Sequence, residues 1–229
     1  DTYDGQCVRK NNFSVSFDNQ TINALKLFYQ WKGRNDLDFQ SIKRPVKPKR
    51  LPVILSKAEI KKIFDSLRNI KHKAMILVIY SCGLRLSEIT EVRLEDIDYE
   101  RNILIIRGKQ GYPDREVPLP QKVIDYLKDY IKRYEPSTYL IENYSNQKYS
   151  TRSVQEVFKR IKKKAGITKP GGVHILRHSY ATHLLEKGID IKLVQELLGH
   201  ISSKTTQVYT LVSNRDVLAI KSPVEEMEI

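Results

Sequence analysis

Cysteine is scarce in this sequence. Cys7 and Cys82 are the only two in 229 residues, too few for a disulfide framework and not at the spacing of a metal site. A reducing, intracellular compartment, the cytoplasm, is therefore expected. Long apolar runs are missing too: none approaches a membrane span, and no stretch has the layout of a secretory signal. Gly108-Lys109-Gln110-Gly111 has neither the spacing of a Walker-type phosphate loop nor a helix after it, and no His-Glu-x-x-His element occurs. Internal repeats and low-complexity tracts are absent as well. Asp1 is not an initiator methionine, so the chain is expected to have lost an N-terminal portion.

Acidic residues are in short supply relative to basic ones. Lys and Arg number 40 against 27 Asp and Glu, a net charge of +13. Such an excess raises encounter rates with polyanions and gives phosphates something to bind, so nucleic acid is the favoured partner. The plainer alternative is a basic enzyme of another kind. Hydrophobic residues make up 40% of the chain, enough to build a core, and the length suits one ordinary domain plus a smaller piece.

Ile22, Leu25, Phe28 and Tyr29 recur at helical spacing. A lone amphipathic helix cannot bury its stripe, so residues 1–42 read as the remnant of a domain whose last helix spans about 20–32. The stretch 43–52, with Lys43, Arg44, Lys47, Lys49 and Arg50 among three prolines, cannot be helical and resists burial, so it reads as a basic linker. Residues 53–229 form the main domain. Ser56-Lys57-Ala58-Glu59 is a capping box that opens a helix, and an apolar helix over about 74–80 stops at Gly83. Residues 102–107 and 115–117 are predicted strands of a hairpin around the turn 108–114. Val123, Ile124, Leu127, Ile131 and Tyr134 define one helical face, and Val154, Val157, Phe158, Ile161 and Ala165 another. Arg152, Lys159 and Lys163 lie opposite that second face, either solvated or touching phosphate. Two further helices, about 173–187 and 190–198, each close on a glycine. The fold class is mainly α with a small antiparallel β-hairpin.

His174-Ile175-Leu176-Arg177-His178 puts His174 and Arg177 three residues apart on a helix, while Leu176, Tyr180 and Leu184 face the core. An arginine fork and a proton-carrying imidazole make a phosphate grip; any such pair alone is more often plain surface. His174 and His178 have the spacing of a zinc pair, but Arg177 beside them repels a cation, so no metal is expected. His200 follows Gly199 where the chain leaves its helix, and Tyr209 comes nine residues later. Arg85 follows the glycine-stopped apolar helix, and Lys109 sits at the hairpin turn.

In order, Gly83-Leu84-Arg85-Leu86-Ser87-Glu88, Lys109 with Val117-Pro118-Leu119, His174-Ile175-Leu176-Arg177-His178, Leu197-Leu198-Gly199-His200 and Tyr209 resemble the boxes of the tyrosine recombinases and integrases. The resemblance covers residues 51 to about 213 and departs only upstream, where the family's core-binding domain is represented by one helix. It implies a metal-free and ATP-free transesterification with no cofactor, on double-stranded DNA recombination sites. Tyr209 would attack the scissile phosphate to give a 3′-phosphotyrosyl link. Arg85 and Arg177 would neutralise the non-bridging oxygens, His200 would hydrogen-bond the same phosphate, and Lys109 would protonate the leaving 5′-oxygen. His174 would handle protons near Tyr209, and Glu88 would hold Arg85 from behind. Lys43, Arg44, Lys47, Lys49, Arg50, Arg152, Lys159 and Lys163 are the candidate DNA contacts. In this family the C-terminal segment, here Val217-Leu218-Ala219-Ile220, docks on a neighbour in a DNA-bound homo-tetramer; folding back in cis is the alternative. The competing functions are a type IB topoisomerase-like relaxing enzyme and a catalytically silent DNA-binding protein.

Overall fold

The computed structural model describes residues 14–34, 38, 39, 42, 44, 52–108, 113–199, 222, 224 and 227. The chain divides into two compact units, Asp1–Leu51 and Pro52–Ile229.

In the first unit, α1 (Val15–Trp31) starts where the Ser14 hydroxyl accepts a hydrogen bond from the Phe17 amide at 3.2 Å, the usual device for satisfying an orphan N–H at a helix start. It begins earlier than the apolar spacing predicts, because a cap needs no apolar residue. No residue of α1 is buried; Phe17, Leu27, Phe28 and Trp31 are exposed.

The second unit opens with α2 (Lys57–Ser66), whose capping box forms as expected. The Glu59 amide donates to the Ser56 hydroxyl, and the Glu59 carboxylate accepts from the Ser56 amide at 2.7 Å. Next comes α3 (Ile70–Ser81), with every residue from Ala74 to Ser81 fully buried. A helix that is apolar all round belongs in the middle of a core, and α3 packs against both α5 (Gln121–Tyr134) and α7 (His174–Glu186). Buried polar groups tie α3 to α7: the Tyr80 hydroxyl and His183 Nδ1 share a hydrogen bond of 2.8 Å. Burial lowers the His183 pKa and raises that of Tyr80, so both stay neutral near pH 7.

A one-turn α4 (Leu86–Ile89) and a 3₁₀ turn (Leu94–Asp96) lead into a three-stranded antiparallel sheet of β1 (Ile97–Asp98), β2 (Ile103–Arg107) and β3 (Pro113–Pro118), in the order β1-β2-β3. The expected hairpin is β2–β3; the two-residue β1 is too short to leave a pattern in the sequence. Leu104 pairs with Val117 and Ile106 with Arg115. Side chains alternate along a strand, so Arg115 shares the buried face of Val117. Glu116 points the other way, to Arg101 at 2.9 Å.

On α5, the buried stripe is Val123, Ile124, Leu127 and Tyr130. Tyr134 stays largely exposed against expectation, while Tyr130 enters the core by donating its hydroxyl to the Leu140 carbonyl at 2.9 Å. The predicted face of α6 (Thr151–Lys164) is the observed one, with Val154, Val157, Phe158 and Ile161 buried. The last described helix is α8 (Ile191–Leu197), capped by Asp190. In the tail, Val224 and Met227 are buried, and the Ser222 hydroxyl donates to the Ser81 carbonyl at 2.9 Å. At these positions the tail packs in cis; Val217–Ile220 lie outside the described residues. Among the described residues, no helix is long and apolar enough to cross a membrane.

Candidate active site

The site begins at the end of α3. Gly83 adopts φ +61°, and the Leu84 amide reaches back to the Ile79 carbonyl at 3.1 Å, a Schellman-type stop. A Cβ at position 83 would stand 2.5 Å from the Tyr180 ring, so the turn admits no side chain. It aims Arg85 away from the core at the start of α4. There the Glu88 carboxylate accepts from the Arg85 amide at 2.7 Å and from Arg85 Nη1 at 2.7 Å.

Arg177 comes from α7. Its spacing predicts a face shared with His174, yet the two fall in different environments: Arg177 is 5% exposed and His174 is exposed. Three residues along a helix leave a sideways step, and the edge of the buried stripe runs between them. Arg177 Nη1 donates to the Gly83 carbonyl at 2.8 Å, and Nη2 donates to the Leu198 carbonyl. Its guanidinium also stands 3.8 Å from the Glu88 carboxylate. Arg85 Nη2 donates to the Gly199 carbonyl at 2.7 Å. Two arginines distant in sequence thus grip the same turn after α8, Arg85 through Gly199 and Arg177 through Leu198, and Arg177 also holds the turn after α3.

A third guanidinium completes the cluster, and the sequence reading missed it. Arg115 forks onto Glu88 with Nη1 at 3.0 Å and Nη2 at 2.9 Å, and its Nε donates to the Leu197 carbonyl at 2.7 Å. A signal was available. Alternation puts Arg115 on the face of Val117, and a charge on a core face needs a partner.

Charge is unbalanced here. Among the described residues, three guanidiniums surround one carboxylate, leaving two positive charges. Burial alone would push the Glu88 carboxyl up, but the hydrogen bonds and charge of Arg115, with the amide and guanidinium of Arg85, hold it down at about 2. Glu88 therefore remains anionic at any working pH. Burial first, then the charges of Arg85 and Arg115, lowers the Arg177 pKa to about 10, which still leaves it protonated near neutrality. A cluster with surplus positive charge is suited to an anion with oxygens in a plane, such as a phosphodiester. It is unsuited to a metal cation, and among the described residues no group of three or more metal-ligating side chains occurs. His178 is held below the usual imidazole range by burial, then by His174 and Arg177.

Lys109, His200 and Tyr209 lie outside the described residues, as do Lys43, Lys47, Lys49 and Arg50. Gly199, which precedes His200, is described: it has φ +61° and ends the α8 turn. Arg44 is exposed in the first unit and donates to Asn23 Oδ1 at 3.0 Å. Arg152, Lys159 and Lys163 are exposed on α6. Lys159 and Lys163 also line an open cleft of about 540 Å³ that Gly166, Gly171 and Gly172 border. Lys162 lines the same cleft and ties the loop after α6 through the Gly171 carbonyl at 2.9 Å.

The chain matches a known group of proteins. Residues 54–215 fit the model of the phage integrase family. Tyrosine recombinase XerA of Pyrococcus furiosus is 36% identical over 228 residues, covering 97% of this chain and 78% of its own length. XerA of Pyrococcus horikoshii is 38% identical over 212 residues, covering 91% and 73%. Among solved structures, XerA recombinase superposes with a TM-score of 0.63 at 28% identity, covering 90% of this chain and 75% of that one. XerH site-specific recombinase bound to a palindromic difH substrate, in a post-cleavage complex, superposes at 0.74 with 25% identity, covering 92% and 67%. The mainly helical fold, the small antiparallel sheet and the ordered boxes are thus accounted for together: the chain belongs to the phage integrase family, the tyrosine recombinases.

Proposed function

We propose that this protein is a site-specific DNA recombinase of the integrase type, which cuts and rejoins double-stranded DNA through a 3′-phosphotyrosyl intermediate. The observation that carries the reading is the guanidinium cluster: Arg85 and Arg177, 92 residues apart in sequence, converge on one spot with positive charge to spare.

In the reaction the Tyr209 oxygen bonds to the scissile phosphorus and the bond to the 5′-oxygen breaks. Arg85 and Arg177 stabilise the charge that builds on the non-bridging oxygens, and His200 hydrogen-bonds the same phosphate. Lys109 gives its proton to the leaving 5′-oxygen, and His174 takes part in proton handling near Tyr209. Glu88 is a positioning residue for Arg85. The covalent link conserves the phosphodiester bond energy, so attack by another strand's 5′-hydroxyl reseals DNA without ATP. The arginines perform the charge work a metal otherwise does, and no cofactor is invoked.

The exposed basic side chains Arg152, Lys159 and Lys163 on α6, with Arg44 and its neighbours Lys43, Lys47, Lys49 and Arg50, contact DNA backbone. The exposed aromatic face of α1 supports reading residues 1–42 as part of a core-binding domain, joined to a catalytic domain over 53–229 by the linker 43–52. The protein acts in the cytoplasm, on the nucleoid when bound, as a homo-tetramer assembled on two sites.

The test is Tyr209→Phe, which removes only the nucleophilic oxygen. Incubated with a nicked suicide duplex and run on a denaturing gel, wild type forms a protein–DNA band and the variant binds DNA without forming it. A band of equal strength in the variant moves the nucleophile elsewhere and overturns the reading.

A further inference from the structure

We propose that Arg115 is a positioning residue for this reaction: by holding Glu88 and the turn after α8 in one grip, it sets Arg85 and the chain entering His200 in register with each other. The inference rests on the recombinase reading above and names a residue that reading does not need.

Its support is geometric. Arg115 sits on the core face of β3, its side chain 6% exposed. Its fork accounts for both Glu88 oxygens, at 3.0 and 2.9 Å, while the same carboxylate receives Arg85 Nη1 at 2.7 Å. Glu88 is therefore the link between the two guanidiniums. The third contact, Nε to the Leu197 carbonyl at 2.7 Å, reaches the last turn of α8. Gly199 lies directly against the Arg115 side chain: a Cβ there would stand 2.9 Å from Nη1, 3.2 Å from Cδ and 3.3 Å from Cζ. The Gly199 carbonyl in turn receives Arg85 Nη2 at 2.7 Å. A closed ring results, running Arg115, Glu88, Arg85, the Leu197–Gly199 turn and back to Arg115. Arg115 lies six residues after Lys109 in the sequence, so from within that box its side chain ties together two of the other separated boxes. A lysine cannot replace it, because a point ammonium cannot span two carboxylate oxygens and a carbonyl in one plane.

The test compares Arg115→Lys and Arg115→Met with wild type and Tyr209→Phe, using a nicked duplex selected by wild-type protein from a randomised pool. The rate of covalent-adduct formation at saturating duplex and the duplex affinity are read separately. A small displacement of groups that hold the reacting phosphate costs about 10²-fold in rate. Both variants are accordingly expected to lose about that much at saturation, with affinity nearly unchanged.

A second reading distinguishes positioning from plain stability. Among the described residues, the charged groups facing Glu88 in wild type are Arg85 on its own element, Arg115 from β3 and Arg177 from α7. Loss of Arg115 removes the largest of the influences holding that carboxyl down. Arg115→Met should therefore gain an acid limb in its pH–rate profile that wild type lacks, and the double variant Arg115→Met/Glu88→Gln should lose that limb again. Should the Met variant fail to fold, Gly199→Ala pushes on the same guanidinium from the other side and is expected to depress the adduct rate likewise. A wild type that forms no adduct sinks the recombinase reading and this inference with it. An active wild type with a dead Tyr209→Phe, but an Arg115→Lys that cleaves at wild-type rate or loses only affinity, sinks the inference alone.

Discussion

Replacing Glu88 by Gln removes the one carboxylate at the centre of three guanidiniums, and the structure sets the size of the effect. The Glu88 carboxyl is lowered from an ordinary value of 4.5 to about 2. Each tenfold change in acidity is worth about 1.4 kcal/mol, so the native state gains roughly 3 kcal/mol from keeping this group ionised. The side chain is only 11% exposed, so solvent screening takes little of this away. The figure agrees with the roughly 3–5 kcal/mol lost when one partner of a buried ion pair is removed. At pH 7 Glu88→Gln should therefore unfold roughly 3 kcal/mol more easily, about 6–12 °C lower in Tm for a unit of this size.

The pH dependence follows from the direction of the change. A carboxyl with a depressed folded value contributes its stability fully above its unfolded value, near 4.5, and loses it as pH falls toward about 2. The gap between wild type and Glu88→Gln should thus be constant from neutrality to about pH 5 and shrink to less than half by about pH 3. Urea unfolding of both proteins by far-UV circular dichroism measures it, and subtraction removes the titration of every other carboxyl. A gap that is absent at neutral pH, or as wide at pH 3 as at 7 (roughly unchanged where linkage demands a fall), refutes the assignment of Glu88 as the counter-ion of this cluster.

Gly83→Ala places a Cβ 2.5 Å from the Tyr180 ring at φ +61°; thermal unfolding should show a loss of about 3 kcal/mol from left-handed strain and overpacking together. Lys109→Ala should cut ordinary DNA about 10²–10⁴-fold more slowly yet recover on DNA with a 5′-bridging sulfur, which leaves without a proton, whereas Arg85→Ala should not recover; a common response of the two variants would remove Lys109 as the general acid. Changing Arg152, Lys159 and Lys163 together to Ala should lower the slope of log affinity against log salt by about 0.9 for each phosphate no longer neutralised, and an unchanged slope would mean that this face of α6 does not meet the backbone.

Much of the fold was legible because burial leaves a period. The α6 stripe of Val154, Val157, Phe158 and Ile161 and the capping box at Ser56 and Glu59 are local physics, decided within a turn or two of helix. So is the stop at Gly83, since a left-handed residue after an apolar helix calls for glycine. The boxes that carry the family resemblance could be read in order for the same reason, each being a short segment with its own spacing.

Two features were closed to that reading, and a third was signalled in the sequence without its partners. Arg177 and His174 share a helix face by spacing, but only the packing of α7 on α3 decides that one is buried and the other exposed. The burial of Tyr130 in place of Tyr134 depends on a carbonyl, that of Leu140, which lies beyond the helix end. Alternation marks Arg115 as a charge on a core face, but its partners appear only when β3 is laid beside α8, 82 residues along the chain at Leu197. The sequence by itself determined the longer helices, the β2–β3 hairpin and which chemical groups are present, because those depend on neighbours a few residues away. Which guanidiniums share a carboxylate, and which of them are shielded from water, only the tertiary structure decided, because electrostatic pairing acts over a few ångströms of space regardless of separation along the chain.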